Sequence, residues 1–116
     1  MNLICAGIMT IMIYLTPLTV TAYWDGDGMP PWGVTASGAR TEWGIAAGPK
    51  EIPFGSELFV PGYGQVRIED RGGDIRLERT SPNHSNIDLW YPDRESALAW
   101  GRRTVEVQTR GWRWPE

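Results

Sequence analysis

The sequence predicts an all-β fold, a single small barrel with one short helix near its C-terminal end. Three observations predict it. The chain has 116 residues, which corresponds to one domain. Its 14 glycines and 9 prolines divide it into short elements joined by tight turns, a pattern typical of β-barrels. Several short segments also alternate apolar and polar residues, as half-buried strands do.

Six short segments have the pattern of strands. Residues 65–70 (QVRIED) show it best, because Val66 and Ile68 fall on one face and polar residues on the other. This strand and the next one, residues 87–91, frame the polar segment 71–86. The predicted strands cover residues 18–24, 44–47, 58–60, 65–70, 87–91 and 104–108.

One helix is expected at residues 92–100. Pro92 and Asp93 lie where a helix start signal belongs, and Gly101 follows as a stop signal. The apolar face of the helix consists of Ala97, Leu98 and Trp100.

The N-terminal segment resembles the apolar region of an export signal. No charged side chain occurs in residues 1–24, and residues 3–15 are apolar except for Thr10. Pro17 interrupts the run before the roughly 20 apolar residues that span a bilayer. No Lys or Arg precedes the run, and a cut at the small-residue pattern 20–22 would trim the first predicted strand.

Three interpretations of this segment stay open: a cleaved export signal, a retained anchor that associates with a membrane through residues 1–19, or a misassigned start or buried apolar segment. The predicted organisation is a signal-like or anchor segment at 1–19, a barrel domain at 20–110 and a tail at 111–116.

Composition restricts the chemistry. Eleven Lys and Arg against 14 Asp and Glu give a net charge of −3, which argues against nucleic-acid binding. The single cysteine, Cys5, excludes an internal disulfide framework and a cysteine-ligated zinc site. The single histidine, His84, excludes a multi-histidine metal site. Chemistry is therefore expected from carboxylates, with no metal and no organic cofactor.

The candidate acid is Asp88, which lies between Ile87 and Leu89 in a predicted strand. Because those neighbours share the opposite face, Asp88 lies either towards solvent or in the floor of a groove with Trp90 and Asn86. A carboxyl in such a groove loses hydration, which raises its pKa and makes it a proton donor near neutral pH.

A second candidate carboxylate is Asp70. It lies where a strand runs into the pair Gly72–Gly73, whose missing side chains allow close approach of a ligand. Glu69 is expected on the opposite face in a structural role, and His84 is expected as a solvated loop residue.

Eight segments together resemble a known family, the 3D (three-aspartate) domain of cell-wall enzymes. The similarity extends to the C-terminal part of membrane-bound lytic transglycosylase A and to the stationary-phase survival transglycosylases of spore formers. The segments occur in the family's order at residues 20–24 (VTAYW), 35–38 (TASG), 43–47 (WGIAA), 52–55 (IPFG), 60–64 (VPGYG), 69–73 (EDRGG), 87–89 (IDL) and 99–107 (AWGRRTVEV).

The resemblance implies a six-stranded double-psi β-barrel with a groove that binds peptidoglycan glycan strands. It implies Asp88 as the catalytic acid/base, with Asp70 as the second catalytic carboxylate beside it, which holds a substrate hydroxyl or, as a like charge, helps raise the Asp88 pKa. The other expected substrate contacts are Thr35, Ser37, Gly72, Gly73, Asp74, Arg76 and Tyr23. One family aspartate is replaced by Gly48, and Leu77 replaces a glycine of the loop.

The implied activity is that of a lytic transglycosylase, which cleaves the β-1,4 bond between N-acetylmuramic acid and N-acetylglucosamine. One carboxyl is sufficient, because the C6 hydroxyl of the same muramic acid is the nucleophile. A non-catalytic, expansin-like wall-binding module is the alternative, and a glycoside hydrolase is a third. We expect a monomer exported to the cell envelope.

Overall fold

The computed structural model describes residues 10–26, 33–79 and 82–116. These residues form six strands and one helix: β1 (Ile13–Tyr23), β2 (Ile45–Ala47), β3 (Glu57–Val60), β4 (Gly64–Asp70), β5 (Ile87–Trp90), α1 (Arg94–Trp100) and β6 (Arg103–Arg110). The predicted all-β fold with one short helix near the C-terminal end is confirmed, and each predicted strand is present with bounds shifted by a few residues.

The six strands close into a barrel in the order β1-β5-β2-β4-β3-β6. The pairs β1–β5 and β2–β4 are parallel, and the other pairs are antiparallel. Parallel neighbours need a crossover connection rather than a hairpin. Both parallel pairs join strands that are not consecutive in the chain, which agrees with the double-psi connectivity expected of this barrel.

The barrel interior is filled by the inward-facing residues of all six strands. Every second residue of a strand points inward, so in β4 Val66 and Ile68 are buried while Gln65 is exposed. The fully buried side chains include Leu18, Val20, Ile45, Ile52, Leu58, Val60, Val66, Ile68, Ile87, Leu89, Val107 and Trp114. The outer face of the barrel is therefore free to carry polar side chains.

Helix α1 begins and ends where the sequence signals lie. The Asp93 carboxylate caps the helix by accepting a hydrogen bond from the Ser96 amide at 2.8 Å. Gly101 ends it with a φ of 69°, in the region that favours glycine. The helix docks onto β1 through Trp100, whose indole Nε1 donates to the Val20 carbonyl at 3.1 Å.

Strand β1 begins earlier than predicted, at Ile13 rather than residue 18. Residues 13–20 pair with β6 in a continuous antiparallel ladder from Ile13–Arg110 to Val20–Arg103. The end of the apolar run, residues 13–15, thus belongs to β1, and this strand crosses the expected boundary at residue 19. A cut after Ala22 would remove Leu18 and Val20, which are 1% and 0% exposed.

Residues 1–9 of that apolar segment lie outside the described part of the chain. Within the described residues, no helix combines the length and apolarity needed to cross a bilayer.

Candidate functional site

The candidate site is a row of outward-facing positions on four adjacent strands. Ala47 of β2 is in register with Asp70 of β4 on one side and with Asp88 of β5 on the other. Asp88 is in turn in register with Thr21 of β1. We call these four residues the acidic row. Two strand spacings put the Cα atoms of its two aspartates about 10 Å apart.

A register shift is what places Asp70 in this row. In a regular strand Asp70 would share the face of Val66 and Ile68, inside the barrel. The pairing of β2 with β4 passes from Ala46–Ile68 directly to Ala47–Asp70, so one extra residue, Glu69, is accommodated in β4. A bulge of this kind re-aims the following side chain. It turns Asp70 to the outer face.

Asp88 is half-buried and has one hydrogen-bond donor. Its Oδ1 accepts from the Thr21 hydroxyl at 2.9 Å, and that hydroxyl lies 2.8 Å from the Ser85 hydroxyl. No described residue donates to the other carboxyl oxygen. Burial raises the pKa of Asp88 from 3.8 to about 6, opposed by the Thr21 hydrogen bond and assisted by the charge of Asp70. The carboxyl thus exchanges its proton close to neutral pH.

Asp70 has both carboxyl oxygens occupied by protein donors. Oδ2 accepts from the Tyr23 hydroxyl at 2.8 Å, and Oδ1 accepts from the backbone amides of Ala36 and Arg71, each at 2.9 Å. Asp70 therefore ties β1, β4 and the turn at 35–38 together. Its contribution to Asp88 is electrostatic.

Tyr23 is half-buried, and its hydroxyl is committed to Asp70. Burial raises the pKa of this phenol, and the hydrogen bond to Asp70 raises it further, so the hydroxyl keeps its proton. The family resemblance implied Tyr23 as a substrate contact. Its hydroxyl instead orients Asp70 across the end of the row.

The predicted contacts in the turn at 35–38 differ in their exposure. Thr35 is buried, with its hydroxyl 3.1 Å from that of Ser37, whereas Ser37 is exposed. The turn closes on Gly38, which has a φ of 92°, through a hydrogen bond from the Gly38 amide to the Thr35 carbonyl. The hydroxyl that this turn exposes is therefore that of Ser37.

The glycine pair lies at a separate cleft. Gly72, Gly73 and Arg76 line a cleft of about 510 Å³ together with Lys50, Glu51, Arg71, Ile75, Leu77 and Glu78. Asp70 and Asp88 are outside this lining, and so is the exposed Asp74. The structure therefore divides most of the predicted site residues between the acidic row with its neighbour Tyr23, the turn at 35–38 and this cleft, and places Asp74 in none of them.

The cleft and the acidic row are joined through Ser85. Ile75 of the glycine loop forms a parallel bridge with Ser85, and the Arg76 amide donates to the Ser85 carbonyl at 2.9 Å. The Ser85 hydroxyl contacts Thr21, the donor to Asp88. Sequence reasoning missed both hydroxyls, because only the parallel β1–β5 pairing brings residues 64 positions apart together.

Asn86 fastens the loop to the barrel. Its side chain is fully buried, with Oδ1 accepting from the Thr19 amide at 2.9 Å. Its Nδ2 donates to the backbone carbonyls of Arg76, Leu77 and Glu78 at 2.9, 3.3 and 2.8 Å. The sequence placed Asn86 on the same face as Asp88 and gave no sign of this structural role.

His84 is buried rather than solvated, so the sequence-based expectation for it is wrong. It is 6% exposed, and its Nε2 contacts the Glu78 carbonyl. The loop folds back over it, because the Arg102 guanidinium donates to the His84 carbonyl at 2.6 Å. Glu69, by contrast, has an ion-pair partner on its own strand, Arg67, at 2.7 Å.

Asp25 closes one end of the site. Its Oδ2 accepts from the Trp90 indole at 3.1 Å and from the Thr41 hydroxyl at 2.8 Å. The contact with Trp90, two residues beyond Asp88, fixes the loop that follows β1 against β5.

Gly48, where the family often has an aspartate, is buried beside the core. A Cβ at this position would lie 2.9 Å from Cγ2 of Ile68, a fully buried core residue. The packing of Ile68 against Gly48 therefore leaves no room for an aspartate side chain at this position.

Fold and site together define a closed six-stranded β-barrel with an acidic row on its outer wall. No protein-family model matches the chain. It is similar to two proteins of Bacillus subtilis (strain 168). It is 36% identical over 96 residues to the cell wall-binding protein YocH, a match that covers 78% of this chain and 31% of YocH.

The second relative is the putative cell wall shaping protein YabE, 36% identical over 64 residues. That match covers 55% of this chain and 14% of YabE. The similarity therefore concerns one part of each longer relative.

Proposed function

We propose that this chain is a three-aspartate domain that acts on peptidoglycan as a lytic transglycosylase. The observation that carries the proposal is Asp88, a half-buried carboxyl on the barrel wall whose pKa is raised to about 6. The names of YocH and YabE support a cell-wall role for a barrel of this sequence. The motif segments of the three-aspartate domain support the reaction type.

The reaction uses Asp88 twice. The protonated carboxyl donates its proton to the bridging oxygen as the bond from C1 of N-acetylmuramic acid to that oxygen breaks. The C6 hydroxyl of the same sugar then bonds to C1 and gives its proton to the Asp88 carboxylate. The 1,6-anhydro product forms without consuming water, and Asp88 returns to its protonated state.

The surroundings of Asp88 suit this double role. A pKa near 6 lets one carboxyl give and accept a proton near neutral pH with little free-energy cost in either direction. The hydroxyl pair Ser85–Thr21 fixes the orientation of Oδ1. Asp70 is a positioning residue, because its oxygens are already bonded to Tyr23, Ala36 and Arg71.

The test is product analysis on purified peptidoglycan sacculi with wild type and Asp88→Asn. The substitution keeps the shape of the side chain and removes its acid, so release of anhydro-muropeptides should fall by about 100-fold or more. Glu106→Gln, which removes an exposed carboxyl of β6 outside the row, is the control and should retain activity. Full activity of Asp88→Asn would eliminate the assignment.

A second candidate function is wall binding without bond cleavage. The observation that favours it is that both carboxyl oxygens of Asp70 already accept hydrogen bonds from the protein. Asp88 is then the one carboxyl of the row with an oxygen to which no described residue donates. The name of YocH also specifies binding. Sacculi that retain wild-type protein while releasing no anhydro product would support this function, and reducing-end products would indicate hydrolysis.

We further propose that the protein works outside the cytoplasm, at the cell envelope. Peptidoglycan, the proposed substrate, is found there. The apolar segment before β1 has the character of an export signal or anchor. The pairing of residues 13–20 with β6 favours retention of those residues in the working protein.

A further inference from the structure

A second surface with the chemistry of a sugar site lies across the barrel from Asp88. Phe59 of β3 is in register with Gln65 of β4 and with Gln108 of β6. The strand neighbours of Phe59, Leu58 and Val60, are 1% and 0% exposed, so its own side chain points outward. We call Gln65, Phe59 and Gln108 the amide–aromatic row.

The three side chains of this row are available to a ligand. The Phe59 ring is 39% exposed. Among the described residues, nothing forms a hydrogen bond with the side-chain amide of Gln65 or of Gln108. Two carboxamides that flank an exposed ring offer donors and acceptors on both sides of a flat apolar surface.

A cleft of about 460 Å³ covers this row. Its lining also includes Ser56 and Trp112, together with one acidic and one basic residue, Glu57 and Arg110. The Trp112 indole is held in place because its Nε1 donates to the Glu57 carbonyl at 3.0 Å. Because the lining holds one acidic and one basic residue, Glu57 and Arg110, the cleft has no net formal charge. A cleft of this kind suits an uncharged ligand better than an anionic or a cationic one.

The row is separate from the acidic row. In the strand order β1-β5-β2-β4-β3-β6, strand β3 is three positions from β5 in either direction around the ring. Phe59 and Asp88 therefore lie on opposite sides of the barrel. A ligand on one row cannot contact the other, so the two surfaces can hold two separate segments of polymer.

We propose that the amide–aromatic row is a second binding site for an uncharged stretch of N-acetylated amino-sugar polymer. The apolar face of a pyranose ring stacks on Phe59, and its hydroxyl and acetamido groups bond to Gln65 and Gln108. This inference rests on the proposed function for its class of ligand. The second site holds insoluble wall while the acidic row works on a different segment.

The test measures binding to insoluble peptidoglycan sacculi by co-sedimentation for Phe59→Ala and for the double variant Gln65→Ala/Gln108→Ala. Both substitutions are at outward-facing positions, and each should weaken binding by about tenfold through loss of stacking or hydrogen bonds. Leu98→Ala, which truncates an exposed apolar residue of α1, is the matched control and should bind as wild type. A soluble N-acetylglucosamine oligomer should shift the nuclear magnetic resonance signals of the Gln65 and Gln108 side-chain amides.

Unchanged sacculus binding by both variants, or unchanged amide signals, overturns the second site. Its failure is distinguishable from failure of the proposed activity. Loss of anhydro product in Asp88→Asn with normal binding by both Phe59→Ala and Gln65→Ala/Gln108→Ala refutes only the second site. Weak binding by Phe59→Ala with full product release by Asp88→Asn refutes only the catalytic role.

Discussion

Asp70 and Asp88 lie on either side of Ala47, on the outer wall of the barrel, although 17 residues separate them in the sequence. The bulge at Glu69 brings Asp70 into this row, and three protein donors then hold it in place. Its negative charge adds to the burial of Asp88 in raising the Asp88 pKa. Asp70 thus acts on Asp88 through its charge and its fixed position.

The raised pKa of Asp88 predicts that its ionisation destabilises the fold. The folded protein holds the Asp88 proton up to about pH 6, whereas an unfolded chain releases it near 3.8. More protons are bound in the folded state across that window, so this contribution to the free energy of unfolding falls as the pH rises from about 4 to 6. Asp88→Asn should be more stable than wild type at pH 7, by on the order of 2 kcal/mol.

Urea unfolding of both proteins at about pH 4 and pH 7 measures this difference. The gain should be much smaller at the lower pH, where Asp88 is protonated in the folded protein and about half protonated in the unfolded chain. Asp74→Asn, at an exposed position, is the control and should show no such gain. Equal stability of wild type and Asp88→Asn at pH 7 would show that the carboxyl is well solvated.

Thr21→Val tests the hydrogen bond that tunes Asp88. The Thr21 hydroxyl stabilises the ionised carboxylate, so its removal should raise the Asp88 pKa further. In wild type, cleavage of sacculi should decline as the pH rises above about 6, because the proton donor is lost. In Thr21→Val the decline should move to higher pH. Rate measurements across the pH range check this shift.

Thr21→Ser is the matched control, since it keeps the hydroxyl on a side chain of similar size. Its pH–rate profile should follow that of wild type. A Thr21→Val profile identical to wild type contradicts a role for this hydroxyl in setting the pKa.

Restoring the missing family aspartate should damage this barrel. In Gly48→Asp the new Cβ would lie 2.9 Å from Cγ2 of the buried Ile68, and a carboxyl would enter a buried position. The free energy of unfolding should fall by about 2–4 kcal/mol through overpacking and burial of a polar group. Thermal or urea unfolding measures the change.

Gly73→Ala is the control for that experiment. Nothing lies within 4 Å of a Cβ built at Gly73, so its stability should stay within about 0.5 kcal/mol of wild type. A Gly48→Asp protein as stable as wild type would contradict the packing explanation for the departure.

Asn86→Ala should release the polar loop from the barrel. The buried amide bonds to the Thr19 amide and to three loop carbonyls, so truncation leaves buried backbone groups without partners. A loss of about 2–4 kcal/mol in the free energy of unfolding is expected. Faster hydrogen exchange of the Thr19 and Arg76 amides should accompany it.

Asn86→Asp separates the two halves of the amide. It keeps the acceptor for Thr19 and removes the donors to the loop carbonyls, so it should lose nearly as much stability as Asn86→Ala. Wild-type stability in either variant would contradict the fastening role.

Much of the fold is determined by local sequence. Three local patterns predict the strands, the helix and their order along the chain: the alternation in residues 65–70, the helix signals at Asp93 and Gly101, and the frequent turn residues. Each pattern depends only on residues that are close in the sequence. The pattern around Asp88 also places it on the face opposite Ile87 and Leu89, either towards solvent or in the floor of a groove. These features follow from side-chain period and capping chemistry alone.

The tertiary structure decided that both carboxyl oxygens of Asp70 accept hydrogen bonds from the protein, whereas one oxygen of Asp88 has no donor among the described residues. Pairing between β1 and β5 brings Thr21 and Ser85 to Asp88, and the bulge at Glu69 turns Asp70 outward. Likewise, only the ladder with β6 shows that residues 13–15 of the apolar run belong to the barrel. Contacts between strands that are distant in the sequence set these features. The register in which two such strands pair cannot be predicted from the sequence of either strand alone.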